Sequence, residues 1–249
     1  MPDIRDYQTR LGNPALGRAD AAIDQGLRSY MLKVYNLMAL GVALTGLIAY
    51  AFAEAAVSDA GGLTSFGTAI YASPLRWVIL FAPLAVVLFL SFGIERMSAF
   101  TAQLAFWVYA ALVGASLSSI FLVYTDASIV QTFAVTAASF AALSLYGYTT
   151  KRDLSAFGSF LIMGLFGLII ASLVNLFLQS SALDFAVSVI GVLLFAGLTA
   201  WDTQKIKEMY FEADGFEVAN KKAIMGALSL YLDFINLFLF LLRFLGNRE

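Results

Sequence analysis

The sequence contains neither cysteine nor histidine. Without cysteine there is no disulfide, no thiolate metal site and no cysteine nucleophile. Without histidine, a Ser-His-Asp triad and a zinc site built on imidazole are excluded as well. The missing histidine has a further consequence: the side chain that ordinarily titrates near neutral pH is gone, so any response to pH has to come from carboxylates in unusual surroundings. Charge is scarce. Asp, Glu, Lys and Arg make up 13% of 249 residues and the net charge is -2, which gives no electrostatic reason to expect a nucleic-acid partner. No phosphate-cradling Gly-rich loop, dinucleotide fingerprint or metal-ligand spacing occurs, and no organic cofactor is expected.

What is abundant is apolar sequence, at 61% of the chain, too much for an ordinary soluble domain. The expected class is an all-α polytopic membrane protein. Residues 1–29 are polar, contain Pro2, Gly12, Pro14 and Gly17, and have no apolar core of a signal peptide; they read as a poorly ordered cytoplasmic tail preceding a transmembrane domain over 30–246. Seven apolar runs follow, at about 31–53, 77–94, 99–124, 128–148, 157–178, 183–203 and 223–245. Each is near the ~20 residues that cross a hydrocarbon core. With the amino terminus inside, twelve of the lysines and arginines fall on inner segments, against Arg76, Arg243 and Arg248 outside. That bias predicts seven crossings with a cytoplasmic amino terminus and an outer carboxyl terminus. Stripes of small residues (Gly114 to Ser119, Ala134 to Ala142, and Gly158, Gly164 and Gly167) predict close helix packing. Asn36 and Asn175 read as buried amides bonding between helices.

The last run, AIMGALSLYLDFINLFLFLLRFLG, carries an acid near its middle. An ionisable side chain in hydrocarbon costs at least ~2.5–3.5 kcal/mol, so Asp233 must face a protein interior or a wet cavity. At helical spacing Gly226, Ser229, Asp233, Asn236, Phe240 and Arg243 share one face, and five of the six are small or polar. This polar seam predicts a helix packed against other helices, the central one of the bundle.

A second acid, Asp202 in GLTAWDTQKIKEMY, lies at the inner end of the sixth run. Alone beside Lys205 and Lys207 it reads as a solvated carboxylate. Together with Asp233 it becomes a candidate pair that titrates as a unit, because two carboxylates in a poorly hydrated site cannot both ionise cheaply. Counted from Ala223 at ~1.5 Å per residue, Asp233 sits ~15 Å deep while Asp202 is near the boundary. Direct contact therefore requires the seventh helix to start further out or the sixth to project into the cytoplasm; a water chain would also join them. Arg96, in SFGIERMSAF at the inner end of the second helix, has the depth to reach Asp202, and equally reads as a positive-inside anchor.

The run YTDASIVQTFAVTAASFAALSLYGYTTKRDLSAFGSFLIMGLFGLIIASLVN, then AWDTQKIK, then LSLYLDFINLFLFLLRFLG, resembles the Bax inhibitor family of transmembrane proteins in its bacterial branch, over residues 28–246. The TKRDLS loop and the LYLDFINLF helix are the specific parts. Trp201 stands where many members have Tyr, and Ser119 where Pro is common. The resemblance implies six helices surrounding a central seventh, a bacterial inner membrane location, and a pH-sensitive calcium leak gated by a di-aspartyl pair. That pair maps onto Asp202 and Asp233, with Arg96 as its basic partner. Calcium is a hard cation seeking oxygen, and Asp233, Asn236 and Ser229 offer oxygens on one face. Asp202 and Asp233 are thus expected as calcium contacts, and Ser229 and Asn236 as lining of the ion's path. Calcium and the lipid bilayer are the expected partners.

The alternative is a non-transporting regulator that binds a membrane-bound protease, since bacterial relatives resemble an inhibitor of such an enzyme; the tail 1–29 would be its contact. An intramembrane aspartyl protease also sets one Asp on each of two helices. Those enzymes resemble a pattern with Gly two residues before the second Asp and a later Pro-Ala-Leu, whereas Tyr231 holds that position here and no proline follows Pro83. An enzyme is therefore not expected. A proton-coupled transporter lacks support from any visible inverted repeat or broken helix pair.

Overall fold

The computed structural model describes residues 14–58 and 61–247, with side chains from residue 25 onward. Seven long helices dominate: α1 (Pro14–Ala56), α2 (Leu75–Gly93), α3 (Ala99–Leu117), α4 (Asp126–Thr149), α5 (Ser155–Leu178), α6 (Ser181–Glu208) and α7 (Phe216–Leu245). All seven are long and apolar enough to cross a membrane, in the order the sequence predicts. Among the described residues there is no sheet; an isolated antiparallel bridge joins Val57 to Leu63 in the connection after α1. The tail 1–29 lies outside the described residues up to residue 13; from Pro14 the chain is helical and runs straight into the first span.

The helices begin where hydroxyl side chains stand in for missing intrahelical acceptors. Ser98 accepts from Thr101 N–H at the start of α3, Thr125 from Ser128 N–H at the start of α4, and Ser180 from Leu183 N–H at the start of α6. The α3–α4 hairpin is as short as its sequence predicts, because α3 tightens into a 3-10 turn over Ser118–Leu122. The carboxyl end of α7 is fastened to this hairpin: Thr125 N–H donates to Asn247 O at 3.1 Å, and Asn247 N–H to Ser128 Oγ at 3.0 Å.

α7 is the innermost element. Two thirds (67%) of its most apolar window is buried, against at most 39% in any other span. It packs on α1, α3, α4 and α6, while α2 packs chiefly on α3 and α5 chiefly on α6. Its core is aromatic, with Tyr231 edge-on to both Phe106 and Tyr109 of α3 and Phe234 edge-on to Phe140 of α4. The outward faces of α2 and α5 are almost wholly exposed Leu, Ile and Phe, as lipid-facing helices are. Lys151, Arg152, Lys205, Lys207, Lys221 and Lys222 collect at one end of the bundle, the basic end.

The packing faces are less simple than the small-residue stripes suggest. Gly114 and Ala115 of α3 are buried, with Gly114 pressed against Thr45 O of α1. In α4, however, Ala134, Ala138, Ala141 and Ala142 face outward, and the buried side is Ser128, Thr132, Thr136, Phe140, Ser144 and Gly147. Hydroxyls can be buried there because they bond backbone or each other: Thr136 Oγ1 donates to Thr132 O at 2.8 Å, and Ser144 Oγ lies 2.9 Å from Thr203 Oγ1 of α6. Asn36 is exposed, and Asn175 accepts from Ser180 N–H at the end of its own helix, so neither bridges helices.

Candidate functional site

α5 stands off from α7, and the gap is a cavity of about 670 Å³ walled by α5, α6 and α7. Its walls are mostly Leu, Ile and Phe. Its polar lining is Ser172 of α5, Asp202 and Lys205 of α6, and Ser229, Asp233 and Asn236 of α7. The seam read from the sequence of α7 is therefore real as a face: four of its members, Ser229, Asp233, Asn236 and Phe240, line one cavity. Gly226, the next member down, lets Ile206 of α6 approach, since a Cβ there would lie 2.9 Å from its Cγ2. Arg243, the outermost member, reaches Asp184 at the start of α6 across 3.5 Å. Ser172 and Leu176 also line a second cavity of about 290 Å³ that contains Asn175, Asp184 and Arg243, so polar groups continue along this side to the far end of the bundle.

The carboxyls of Asp202 and Asp233 lie within hydrogen-bonding reach of each other. The geometric objection raised by the sequence disappears because α7 starts at Phe216, seven residues before Ala223, and α6 continues six residues past Asp202 to Glu208. At ~1.5 Å per residue Asp233 is ~25 Å into α7. Asp202 is only ~9 Å from the end of α6, so the two acids meet because α7 begins ~16 Å beyond that end. Asp233 is 4% exposed, and its Oδ2 is buried without an N–H or hydroxyl donor. The Asp202 carboxyl is the polar group that faces it. Two carboxylates in contact can both be satisfied only when a proton or a cation lies between them.

The cation nearest Asp202 is Lys205, one helical turn further along α6, which also lies 5.0 Å over the ring of Trp201. Arg96 is not that partner. It is exposed in the turn after α2, and it makes no ion pair or hydrogen bond through its side chain among the described residues. Depth along the membrane sets a residue's height but not its place around the bundle, and α2 is on the α3 flank. Asn236 Nδ2 donates to Leu232 O at 2.8 Å, which leaves its amide oxygen as an unspent acceptor at the cavity. No cluster of three or more metal-ligating acids exists among the described residues, so a cation at the pair would have two carboxylates and must complete its shell with neutral oxygens.

Sequence reading did not single out the hydroxyl chain behind this site. Tyr35 OH lies 2.7 Å from Ser144 Oγ, which lies 2.9 Å from Thr203 Oγ1, the neighbour of Asp202. Thr45 Oγ1 donates to Ala110 O at 2.8 Å and lies 2.6 Å from Tyr231 OH. The available signal was Thr and Ser inside apolar runs at steps of four, as in Thr199-Thr203 and Thr132-Thr136.

Comparison with known proteins is consistent over nearly the whole chain. A family profile described as Inhibitor of apoptosis-promoting Bax1 matches residues 27–249. A Rickettsia prowazekii protein is 55% identical over 227 residues, covering 91% of this chain and 92% of its own. The inner membrane protein YbhL of Escherichia coli K12 is 50% identical over 237 residues, covering 93% and 98%.

Proposed function

Given that the chain belongs to the Bax inhibitor family, we propose that it is a non-enzymatic, pH-sensitive calcium leak of an inner membrane, governed by the carboxyl pair Asp202–Asp233. The observation that carries this reading is the contact between two acids, one of them almost wholly buried, at the wall of the cavity between α5, α6 and α7. Proton and calcium compete for the same oxygens. With one proton shared between them the pair carries a single negative charge and is self-satisfied; when the proton leaves, two like charges remain in contact and must separate or take up a cation. Calcium binding at the pair therefore strengthens as pH rises. Ser229 and Asn236, one turn to either side of Asp233, supply neutral oxygens, and Lys205 tunes the local field from the basic end.

The test is calcium flux into liposomes holding the purified protein, measured against pH for wild type, Asp202→Asn, Asp233→Asn and the double variant. The wild-type flux should depend on pH, and each single variant should flatten that dependence about as far as the double variant does, because the two groups act as one. A pH profile that survives Asp233→Asn, or effects of the two substitutions that simply add, refutes the proposal.

A further inference from the structure

A second opening lies on the other side of α7. α1 and α4 both pack on α7 but hardly on each other, and the slot between them is about 650 Å³. Its floor is Phe234, the residue after Asp233, and its sides are apolar, with Met38 and Ala39 on α1 and Ala141 and Leu145 on α4. Tyr35 and Ser144 also line it, but their hydroxyls are spent on each other and on Thr203. The walls hence offer an occupant no hydrogen bond and accept only an apolar body. Small residues on both sides, Ala39, Ala137 and Ala141, leave the space unfilled by the protein itself.

The basic end of the slot is different. Arg28 lines it, exposed, and among the described residues its side chain makes no ion pair or hydrogen bond and no acidic side chain lines the slot. Tyr148 lines it beside Arg28; Lys207 Nζ donates to Tyr148 O at 2.8 Å and lies 5.7 Å from the centre of its ring. An apolar trough at membrane depth that ends in positive charge at the interface is complementary to an amphiphile of opposite sign.

We propose that the α1–α4 slot seats an anionic phospholipid, one acyl chain against Phe234 and the phosphate on Arg28. The site does not depend on the calcium reading, because none of its lining residues belongs to the carboxyl cavity.

Native mass spectrometry of the full chain in detergent, titrated with palmitoyl-oleoyl phosphatidylglycerol or phosphatidylcholine, tests it. One interfacial cation corresponds to about fivefold tighter binding of the anionic lipid. Arg28→Gln should abolish that preference, whereas Lys151→Gln, at the same end but outside the slot, should leave it intact. Ala141→Phe, which fills the slot from an exposed position, should lower occupancy by both lipids; Ala39→Phe, on the opposite wall, serves if the first variant does not fold. Inorganic phosphate should not displace the lipid. Equal binding of the two lipids to wild type, a preference that survives Arg28→Gln, occupancy that survives the filling substitution, or displacement by phosphate alone overturns the proposal.

Discussion

Asp233 lies in the most buried helix with another acid, Asp202, as its neighbour across the α6–α7 contact, and the proposed function rests on the two acting as a pair. Both residues are legible in the sequence, one as a charge inside an apolar run, the other as an acid at the end of one. The cation is not. Lys205 and Arg96 both lie at the basic end, and the sequence has no means of saying which helix adjoins which; only i, i+3 spacing from Asp202 pointed to Lys205. Outside the membrane a simpler carboxylate can be followed by titration. Asp153, in the turn before α5, is held below the ordinary carboxylate range by the Ser155 hydroxyl and then its N–H, which donates to Asp153 Oδ1 at 2.8 Å. Because the folded value is the lower one, the charged form adds stability above the ordinary range, and that gain is lost as pH falls through the folded value. Asp153→Ala should therefore lower the thermal midpoint in detergent slightly at neutral pH, and the difference from wild type should vanish in strong acid. A difference that persists there would mean the carboxylate is not the source.

At the level of helices, contact is set by which small residues meet backbone. A Cβ on Gly147 of α4 would lie 2.1 Å from Ala200 O of α6, while one on Gly167 of α5 would meet nothing within 4 Å. Gly147→Ala should force α4 and α6 apart and cost about 1–3 kcal/mol. Gly167→Ala should be neutral or stabilise by up to about 1 kcal/mol through helix propensity. Thermal unfolding of the two variants in detergent checks both, and a Gly147→Ala variant as stable as wild type would disprove the tight contact. The small-residue stripes of the sequence include Gly167 and not Gly147. Composition reveals that a helix has a small face, but whether a protein surface or lipid fills it depends on the rotation of that helix, which is why the alanines of α4 proved to be its outer side and the hydroxyls its inner one. Element order and span lengths, by contrast, were readable throughout, because hydrocarbon admits few alternatives to a helix of about twenty residues.

For the whole molecule the open question is which face is which. Seven crossings would put Asn247 on the side opposite Lys151, and the distribution of Lys and Arg predicts that Lys151 is inside. The absence of cysteine makes this directly measurable: in intact cells a membrane-impermeant maleimide should label Asn247→Cys, and should label Lys151→Cys only after lysis. The reverse pattern would invert the protein, and protection of both would favour six crossings with a re-entrant last segment. The long final helix was partly hidden in the sequence. Its first turns, from Phe216 to Lys222, are too polar to join an apolar run, yet they continue the same helix beyond the end of α6.

If the carboxyl pair parts as proposed, the bonds that fasten Asn247 to the α3–α4 hairpin would make α7 a lever with its fulcrum at the far tip. Asp233 is ~21 Å from that fulcrum and Phe216 ~46 Å, at 1.5 Å per residue. A swing that parts the two acids by a given amount is thus roughly doubled at the opposite tip, where Glu217 Oε2 accepts from Ala99 N–H at the head of α3 and Lys222 is clasped by Asp214. Those two attachments would bear the largest strokes of the motion, and they are where an added or withdrawn proton would be felt at the membrane's surface.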